Sequence, residues 1–409
     1  MQFFVYLYLL MFFFGIYFII IFLSLYSRYR KELYNYPEPK KFPLVSIISP
    51  AYNEEKTIAG TLEALIRLEY PKGKKEIIVV NDGSTDNTVK IVRELMKKYK
   101  GIILLDKKNS GKADSLNKAV KIAKGELIVV VDADSYPAKD CLLKTIGYFE
   151  QDKKIAAVTT RVLVRNKKNF IERYQAFDYI VIAWSRKILD FINSVYVTNG
   201  PFSIYRKSLV KKVGGFDPKN LTEDIEITWH LLSKGYKTKM SYSAEVSTIV
   251  PDTLSQWVKQ RVRWNLGGLQ TIYKYKSYLL RGKSVFGYVV ISYVSLSFFL
   301  ALVGLLLFLR LVLLKGSFYL SSFPFIFQGY NPFEFIEFSF SFTFLMIFGL
   351  LFMILAFTFY GIAIKRADLK SKSILTILTY TFIYRILYVI PLVTALYKLV
   401  KGDINWYTK

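Results

Sequence analysis

Glu126-Leu-Ile-Val-Val-Val-Asp-Ala-Asp-Ser135 is an apolar, β-branched run that stops abruptly at two carboxylates one residue apart. Its length and composition predict a buried parallel strand that delivers Asp132 and Asp134 to the edge of a sheet. Open α/β sheets bind ligands beyond the carboxyl ends of their strands, and residues two apart on an extended chain point the same way. Such a pair suits Mg²⁺ or Mn²⁺, which take one or two carboxylates and complete their shell with the oxygens of a diphosphate. A turn capping the strand would place acids here too, so the pair takes its meaning from the rest of the chain.

Upstream, the same pattern of strand, polar loop and helix repeats. Leu44 to Ser49 reads as a strand, and Pro50-Ala-Tyr-Asn-Glu-Glu55 as a loop entering a helix that runs through Leu68. Glu76 to Asn81 is a second strand, ending in Asp82-Gly-Ser-Thr-Asp86, where Gly permits a tight turn and Ser, Thr and Asp cap the helix that runs to Tyr99. A third strand, Ile102 to Leu105, leads through Asn109-Ser-Gly-Lys-Ala113 into a helix ending at Ala123. This alternation predicts a mainly parallel sheet with right-handed crossovers. One rim of the sheet then collects Asn53 to Glu55, Asp82, Lys112, Asp132 and Asp134. The chain has neither a G-x-G-x-x-G nor a G-K-[ST] phosphate loop, which argues against a dinucleotide or ATP and for a nucleotide sugar.

Downstream the pattern is less regular. Phe170 to Phe191 reads as one long helix, Thr198-Asn-Gly-Pro-Phe-Ser203 as a break before a short strand, and Lys207 to Val213 as a short helix. Leu221-Thr-Glu-Asp-Ile225 opens a helix through Lys234. Thr222 is a natural N-cap, so Glu223 and Asp224 fall in the first turn, where the helix dipole favours the ionised form. First-turn acids are commonplace, and structure alone accounts for most of them. His230, the chain's single histidine, has no second His or Cys near it and reads as packing or surface. Within Trp257-Val-Lys-Gln-Arg-Val-Arg-Trp264, helical spacing puts Gln260, Arg263 and Trp264 on one face. Arg263 there suits a pyrophosphate and Trp264 a sugar ring, while the same helix also suits a membrane surface.

The 409 residues are 53% hydrophobic and 17% aromatic with a net charge of +26, and the two properties separate along the chain. Phe3 to Leu25 is long enough to span a bilayer and lacks a small-residue cleavage site, so it is expected to be an uncleaved anchor. Further apolar runs are Val285 to Leu314, Phe342 to Ile364 and Ile374 to Val400. Basic clusters flank them at Arg28 to Lys41, Lys274 to Lys283 and Lys365 to Lys372, whereas Ser317 to Ser341, read as an outside loop, has no Lys or Arg. The positive-inside rule therefore puts the soluble region between the first two runs in the cytoplasm of a multi-pass membrane protein. That placement accounts for the charge through membrane lipid and phosphate, and nucleic acid is set aside as a partner. The single cysteine, Cys141, allows no internal disulfide and fits a reducing compartment. If the run from 374 to 400 spans, the C-terminus lies outside; Lys398, Lys401 and Lys409 argue that it stays inside, with the run interfacial or re-entrant.

Taken in order, Tyr52-Asn-Glu54, Asp82-Gly-Ser84, Gly111-Lys-Ala113, Asp132-Ala-Asp134, Thr222-Glu-Asp224 and Gln260-x-x-Arg-Trp264 resemble the motifs of the membrane-integrated family-2 glycosyltransferases, the group of the cellulose, chitin, hyaluronan and poly-N-acetylglucosamine synthases. The resemblance covers about residues 44 to 270. It implies an α/β fold of the GT-A nucleotide-sugar-binding type, inserted between transmembrane helices and followed by interfacial amphipathic helices. In that resemblance Asp82 contacts uracil with Tyr52 and Glu54 beside it, Lys112 lies near the nucleotide, Asp132 lines the donor site and Asp134 holds Mg²⁺ or Mn²⁺. Asp224 is then the catalytic base, and Gln260, Arg263 and Trp264 meet the diphosphate and the acceptor sugar. Trp406-Tyr-Thr-Lys409 is similar, in shorter form, to a gating segment of the processive enzymes. The expected organisation is an anchor over 1–26, a linker over 27–43, a cytoplasmic catalytic domain over 44–250, interfacial helices over 251–284, transmembrane or interfacial segments over 285–400 and a cytoplasmic tail over 401–409. The expected reaction is inverting transfer from a UDP-sugar to a growing, exported polysaccharide, or a single transfer to a lipid-linked acceptor. Few apolar segments are available for a pore, so a second copy of the chain or an export subunit would complete it.

Overall fold

The computed structural model describes residues 2–280, 285–326, 344–366 and 378–402. Two compact units emerge, Met1–Ser24 with Tyr293–Ile362, and Leu25–Ser292 with Ala363–Lys409. In chain order the helices are α1 (Gln2–Tyr29), α2 (Ile58–Ile66), α3 (Thr88–Lys98), α4 (Lys112–Ile122), α5 (Leu143–Ile146), α6 (Tyr148–Gln151), α7 (Phe170–Asp190), α8 (Lys207–Lys212), α9 (Glu223–Ser233), α10 (Leu254–Tyr275), α11 (Ser292–Ile326), α12 (Phe344–Arg366) and α13 (Val389–Lys401). The strands are β1 (Val45–Ala51), β2 (Lys75–Asp82), β3 (Ile102–Lys107), β4 (Leu127–Val130), β5 (Ser135–Pro137), β6 (Ile155–Val164), β7 (Ser203–Arg206) and β8 (Lys237–Thr248).

The larger unit is built on one sheet in the order β3-β2-β1-β4-β7-β6-β8-β5. β1, β2, β3 and β4 pair parallel, as the alternation in the sequence predicts. β7 then enters antiparallel between β4 and β6, and β5 closes the far edge antiparallel to β8. Both faces of the central strands are covered, which is why their sequences are nearly continuous apolar runs. Ile47, Val79 and Val129 face one core with Leu62, Leu65 and Leu142, while Ile48, Val80 and Val130 face the other with Leu116, Ala119 and Ile227. Cys141 lies in the first of these cores, fully buried, where burial raises its thiol pKa.

The other unit is drawn from α1, α11 and α12, and the stretches Phe3–Tyr29, Phe286–Leu314 and Met346–Lys365 of these helices and their approaches are long and apolar enough to cross a membrane. Phe22 meets the rings of Tyr293 at 5.9 Å and Phe359 at 5.8 Å, and Gly15 lies against Phe352 so closely that a Cβ would sit 2.7 Å from its ring. Helix α11 continues through Ile326, so Ser317 lies on a helix and not in a loop as expected; backbone hydrogen bonding carries the helix beyond the apolar run, and Ser317 Oγ donates to the Leu314 carbonyl at 2.9 Å. The segment 374–400 is described only from 378 and is not among the three candidate spans. Its Ala395 packs with Leu221, Val262 and Leu266, and so against α10. Trp406-Tyr-Thr-Lys409 lies outside the described residues.

Candidate active site

β4 ends at Val130, and the loop carrying Asp132 and Asp134 is pinned by its neighbours. The Asp132 N–H donates to the Gly200 carbonyl at 3.2 Å, which draws this loop against residues 198–203. Thr248, the last residue of β8, donates through its hydroxyl to Asp134 Oδ1 at 3.2 Å, and Ser135 does the same at 3.2 Å. Ser135 and Thr248 are partners in the β5–β8 ladder, so strand pairing fixes the second carboxylate. Gly111, at φ +93°, turns the chain into α4, and Lys112 opens that helix. Its ammonium is 2.6 Å from Asp132 and 2.6 Å from Glu223. Burial opposes the charge on Lys112, but Asp132, Glu223 and Asp224 outweigh it and raise its pKa.

Gly200 makes this junction sterically feasible. A Cβ there would lie 2.6 Å from Asp132 Oδ2 and 2.8 Å from Lys112 Nζ. On the other side, α9 presents Glu223 and Asp224 as its first two residues. Thr222 occupies the N-cap position but makes no side-chain cap; its hydroxyl donates instead to Asn220 Oδ1 at 3.2 Å. The Asp224 carboxyl is pushed up to about 6, by burial first and then by Glu223 beside it, with Lys112 opposing. The helix dipole was expected to favour the ionised form; burial and a neighbouring like charge outweigh it. At neutral pH the group is still mostly ionised and well matched to take up a proton.

Lys112, Asp132, Asp134, Glu223 and Asp224 border a single cavity of about 220 Å³, closed on its remaining sides by α7 and α10. Gln260, Arg263 and Trp264 line it together, as their helical spacing predicts. Their helix is anchored by the residue between them. Arg261, 2% exposed, lies 3.2 Å from Asp178 of α7, and its guanidinium stacks 4.0 Å from the Trp264 ring centroid. Asp178 also accepts from the hydroxyls of Tyr380, at 2.7 Å, and Tyr388. Trp257 donates to the Tyr384 hydroxyl at 2.8 Å, so tyrosines four apart on the C-terminal segment hold the motif in place. The sequence had offered Arg261 no role; that of Glu223 as the second partner of Lys112, and those of Gly200 and Arg186, were likewise unread.

Tyr52, Glu54 and Asp82 do not border this cavity. Asp82 is buried, and its oxygens accept from Lys107 and from the N–H groups of Ser110 at 2.8 Å and Gly111 at 2.9 Å. Those bonds shape a second cavity of about 270 Å³ lined by Asn109 to Ala113, Pro218, Asn220 and Glu223, which shares Lys112 and Glu223 with the first. Glu54 accepts from the Thr57 hydroxyl at 2.8 Å on the loop after β1. His230 lies half-buried beside the Tyr275 ring, consistent with packing.

For a divalent cation the first cavity offers carboxylate and hydroxyl oxygens, the hard donors that Mg²⁺ and Mn²⁺ prefer. Among the described residues no three His, Cys, Asp or Glu side chains converge into a protein-only cage. Asp132 pairs with Lys112, and Asp134 accepts from the Ser135 and Thr248 hydroxyls.

Residues 46–214 match the model of Glycosyl transferase family 2, and the sheet that carries the cavity is of the GT-A-like glycosyltransferase type. The chain is 34% identical over 229 residues to poly-beta-1,6-N-acetyl-D-glucosamine synthase of Staphylococcus epidermidis, covering 56% of this chain and 55% of that protein. The enzyme of the same name from Staphylococcus aureus (strain COL) matches to the same extent. The chain thus spans about half the length of these curated relatives. Among solved structures, the mannosyltransferase PcManGT from Pyrobaculum calidifontis in complex with GDP-Man and Mn²⁺ superposes with a TM-score of 0.58 at 21% identity, over 86% of this chain and 96% of that one, and shares the fold.

Proposed function

We propose that this chain is an inverting, metal-dependent β-glycosyltransferase of the cytoplasmic membrane face that moves a sugar from a UDP-sugar to a growing polysaccharide, retaining the polymer between transfers and passing it into an export path. The observation that carries the reading is the convergence of Asp132, Asp134, Lys112, Asp224, Arg263 and Trp264 on one cavity. The name of the Staphylococcus relatives supports a polysaccharide product, and the Mn²⁺ bound to the Pyrobaculum enzyme supports a cation at Asp134.

In the proposed reaction Trp264 stacks on the acceptor ring and Asp224 accepts the proton of its attacking hydroxyl. That oxygen bonds to the anomeric carbon as the bond to the diphosphate breaks, the electron pair leaving with UDP. Arg263 stabilises the charge that develops on the departing diphosphate. A bound Mg²⁺ or Mn²⁺ would supply further charge neutralisation there. Asp82, through Ser110 and Gly111, shapes the second cavity for the nucleoside, with Tyr52 and Glu54 on the adjoining loop. The proposal divides the chain into an anchor over 1–26, a linker over 27–43, a catalytic domain over 44–250, interfacial helices over 251–284, transmembrane or interfacial segments over 285–400 and a cytoplasmic tail over 401–409. A second copy of the chain or an export subunit completes the path.

The test is to supply the enzyme in sealed vesicles with a panel of UDP- and GDP-sugars and to determine the product by mass. Long water-soluble chains at low conversion from a UDP-sugar are expected. A lipid carrying a single sugar at every time point would refute elongation and establish the single-transfer reading. Orientation is tested by single cysteines at Ser317 and Ser371 in a Cys141→Ser background: labelling of the first from outside and the second from inside is expected, and labelling of both from outside refutes it.

A further inference from the structure

One wall of the first cavity is a face of α7 with helical spacing: Tyr179, Ile182, Ala183 and Arg186. Arg186 is 6% exposed and has no carboxylate within ion-pair distance among the described residues. Its one hydrogen bond, from Nη1, goes to the neutral Oδ1 of Asn199 at 2.6 Å, and its Nε–H finds no acceptor. Asn199, 9% exposed and also in the cavity wall, has its Oδ1 occupied by Arg186 and Thr159 and its Nδ2 without a partner. Two neighbouring buried side chains therefore hold donors with nothing to donate to, and one of them is a cation.

Native proteins rarely leave such groups unsatisfied, because a buried charge costs heavily unless an opposite charge meets it. Burial accordingly lowers the Arg186 pKa, with Tyr196, Asp224 and Tyr179 offsetting that in part. Lys112, by contrast, has its charge already met by two carboxylates. We propose that Arg186 and Asn199 form an oxyanion subsite, distinct from Asp134, that binds a phosphate group. The inference rests on the glycosyltransferase reading only for the source of that phosphate, which is either the donor's diphosphate or a phosphate-bearing lipid acceptor.

The full chain is purified in a phosphate-free detergent as wild type, Arg186→Met, Arg186→Lys and Asn199→Asp. Inorganic pyrophosphate is the common probe, read by tryptophan fluorescence: Arg186→Met should lose at least tenfold in affinity, with Arg186→Lys between. Asn199→Asp, which gives the guanidinium a permanent carboxylate, should lose as much while keeping the cation. Two ratios assign the source. A tenfold fall in the UDP-to-UMP affinity ratio in Arg186→Met identifies the donor diphosphate. A tenfold fall in the preference for a prenyl phosphate over the matching prenyl alcohol identifies the acceptor. Because the cation has no ion pair to lose, Arg186→Met should melt at or above the wild-type temperature. Pyrophosphate affinity and both ratios unchanged within twofold would overturn the subsite, and a lowered melting point alongside them would assign Arg186 a structural role. Wild type that binds pyrophosphate but no UDP would refute the proposed donor and leave the subsite standing.

Discussion

Gly267→Ala sets helix propensity against sterics at the point where α10 crosses the start of α9. A Cβ at position 267 would lie 2.2 Å from Thr222 Oγ1, 2.6 Å from its Cγ2 and 2.8 Å from its Cβ. Turning the Thr222 side chain relieves the first two contacts but not the third, because no rotamer moves Cβ. Non-bonded atoms settle near 3.5–4.0 Å, so once the side chain has turned, relieving the remaining Cβ contact needs the helices to move apart by roughly 0.7 Å. Alanine gains up to about 1 kcal/mol over glycine in a helix interior, whereas overpacking costs about 1–3 kcal/mol. With a forced rotamer at Thr222 and a Cβ contact that no rotamer relieves, the upper half of that range applies and the net loss is about 1–2 kcal/mol. At about 2–4 °C per kcal/mol for a domain of this size, the melting midpoint should fall by roughly 2–8 °C. Asp224 sits two residues beyond Thr222, and a displacement of about 1 Å costs on the order of 100-fold in rate. Melting in detergent, initial rates at saturating UDP-sugar and UDP affinity are the three measurements. UDP affinity should hold within roughly threefold, since the donor carboxylates are placed by strands. A variant that melts at or above wild type and turns over within threefold of it would refute the reasoning.

Asp224→Asn should lower turnover by several orders of magnitude with UDP affinity nearly intact; a tenth of the wild-type rate would remove Asp224 from the role of base. Because the base must be deprotonated and its carboxyl is pushed up to about 6, log kcat should rise with unit slope as pH approaches 6 and level off above it. A profile flat down to pH 4.5 contradicts that. Asp134→Ala should stop responding to added Mn²⁺ or Mg²⁺, and wild type fully active in excess chelator would exclude the metal. Asp178→Ala strands the Arg261 guanidinium in the interior, a loss of about 3–5 kcal/mol when one partner of a buried pair is removed. An unchanged melting midpoint would show that the tyrosines alone hold α10.

The first half of the sheet was legible because its strands are covered on both faces and so read as uninterrupted β-branched runs ending in acids. β6 and β8 were not. Ile155–Val164 carries Arg161 in its middle, a charge made tolerable by Glu245 of β8, which pairs with it from 84 residues away, and by the Tyr242 ring 4.6 Å from its guanidinium. Lys237–Thr248 alternates apolar with Lys, Thr, Ser and Glu and offers no apolar run. In the site, Gln260, Arg263 and Trp264 were readable from local spacing, as were Asp132 and Asp134. The bridge from Lys112 to Glu223 joins residues 111 apart, and the close approaches at Gly200 and Gly267 depend on which chain crosses there. Arg186 left a trace: a lone cation on a face otherwise made of Tyr179, Ile182 and Ala183. Without knowledge that the face borders a cavity, it reads as a solvated end of the helix.

The position of β7 bears on how the chain is made. Four residues, Ser203–Arg206, pair on one side with β4 (Val130↔Ser203) and on the other with β6 (Thr159↔Ser203). As the chain grows, β4 and β6 are both synthesised before the strand that must separate them, and each meanwhile exposes a row of unsatisfied N–H and C=O groups in the middle of the future sheet. Open apolar edges are templates for association with another chain. A fragment ending before residue 203 should therefore aggregate instead of folding into a donor-binding module. Attempts to dissect the enzyme have one workable early boundary: after Thr248, where β8 has joined β6 and closed over β5.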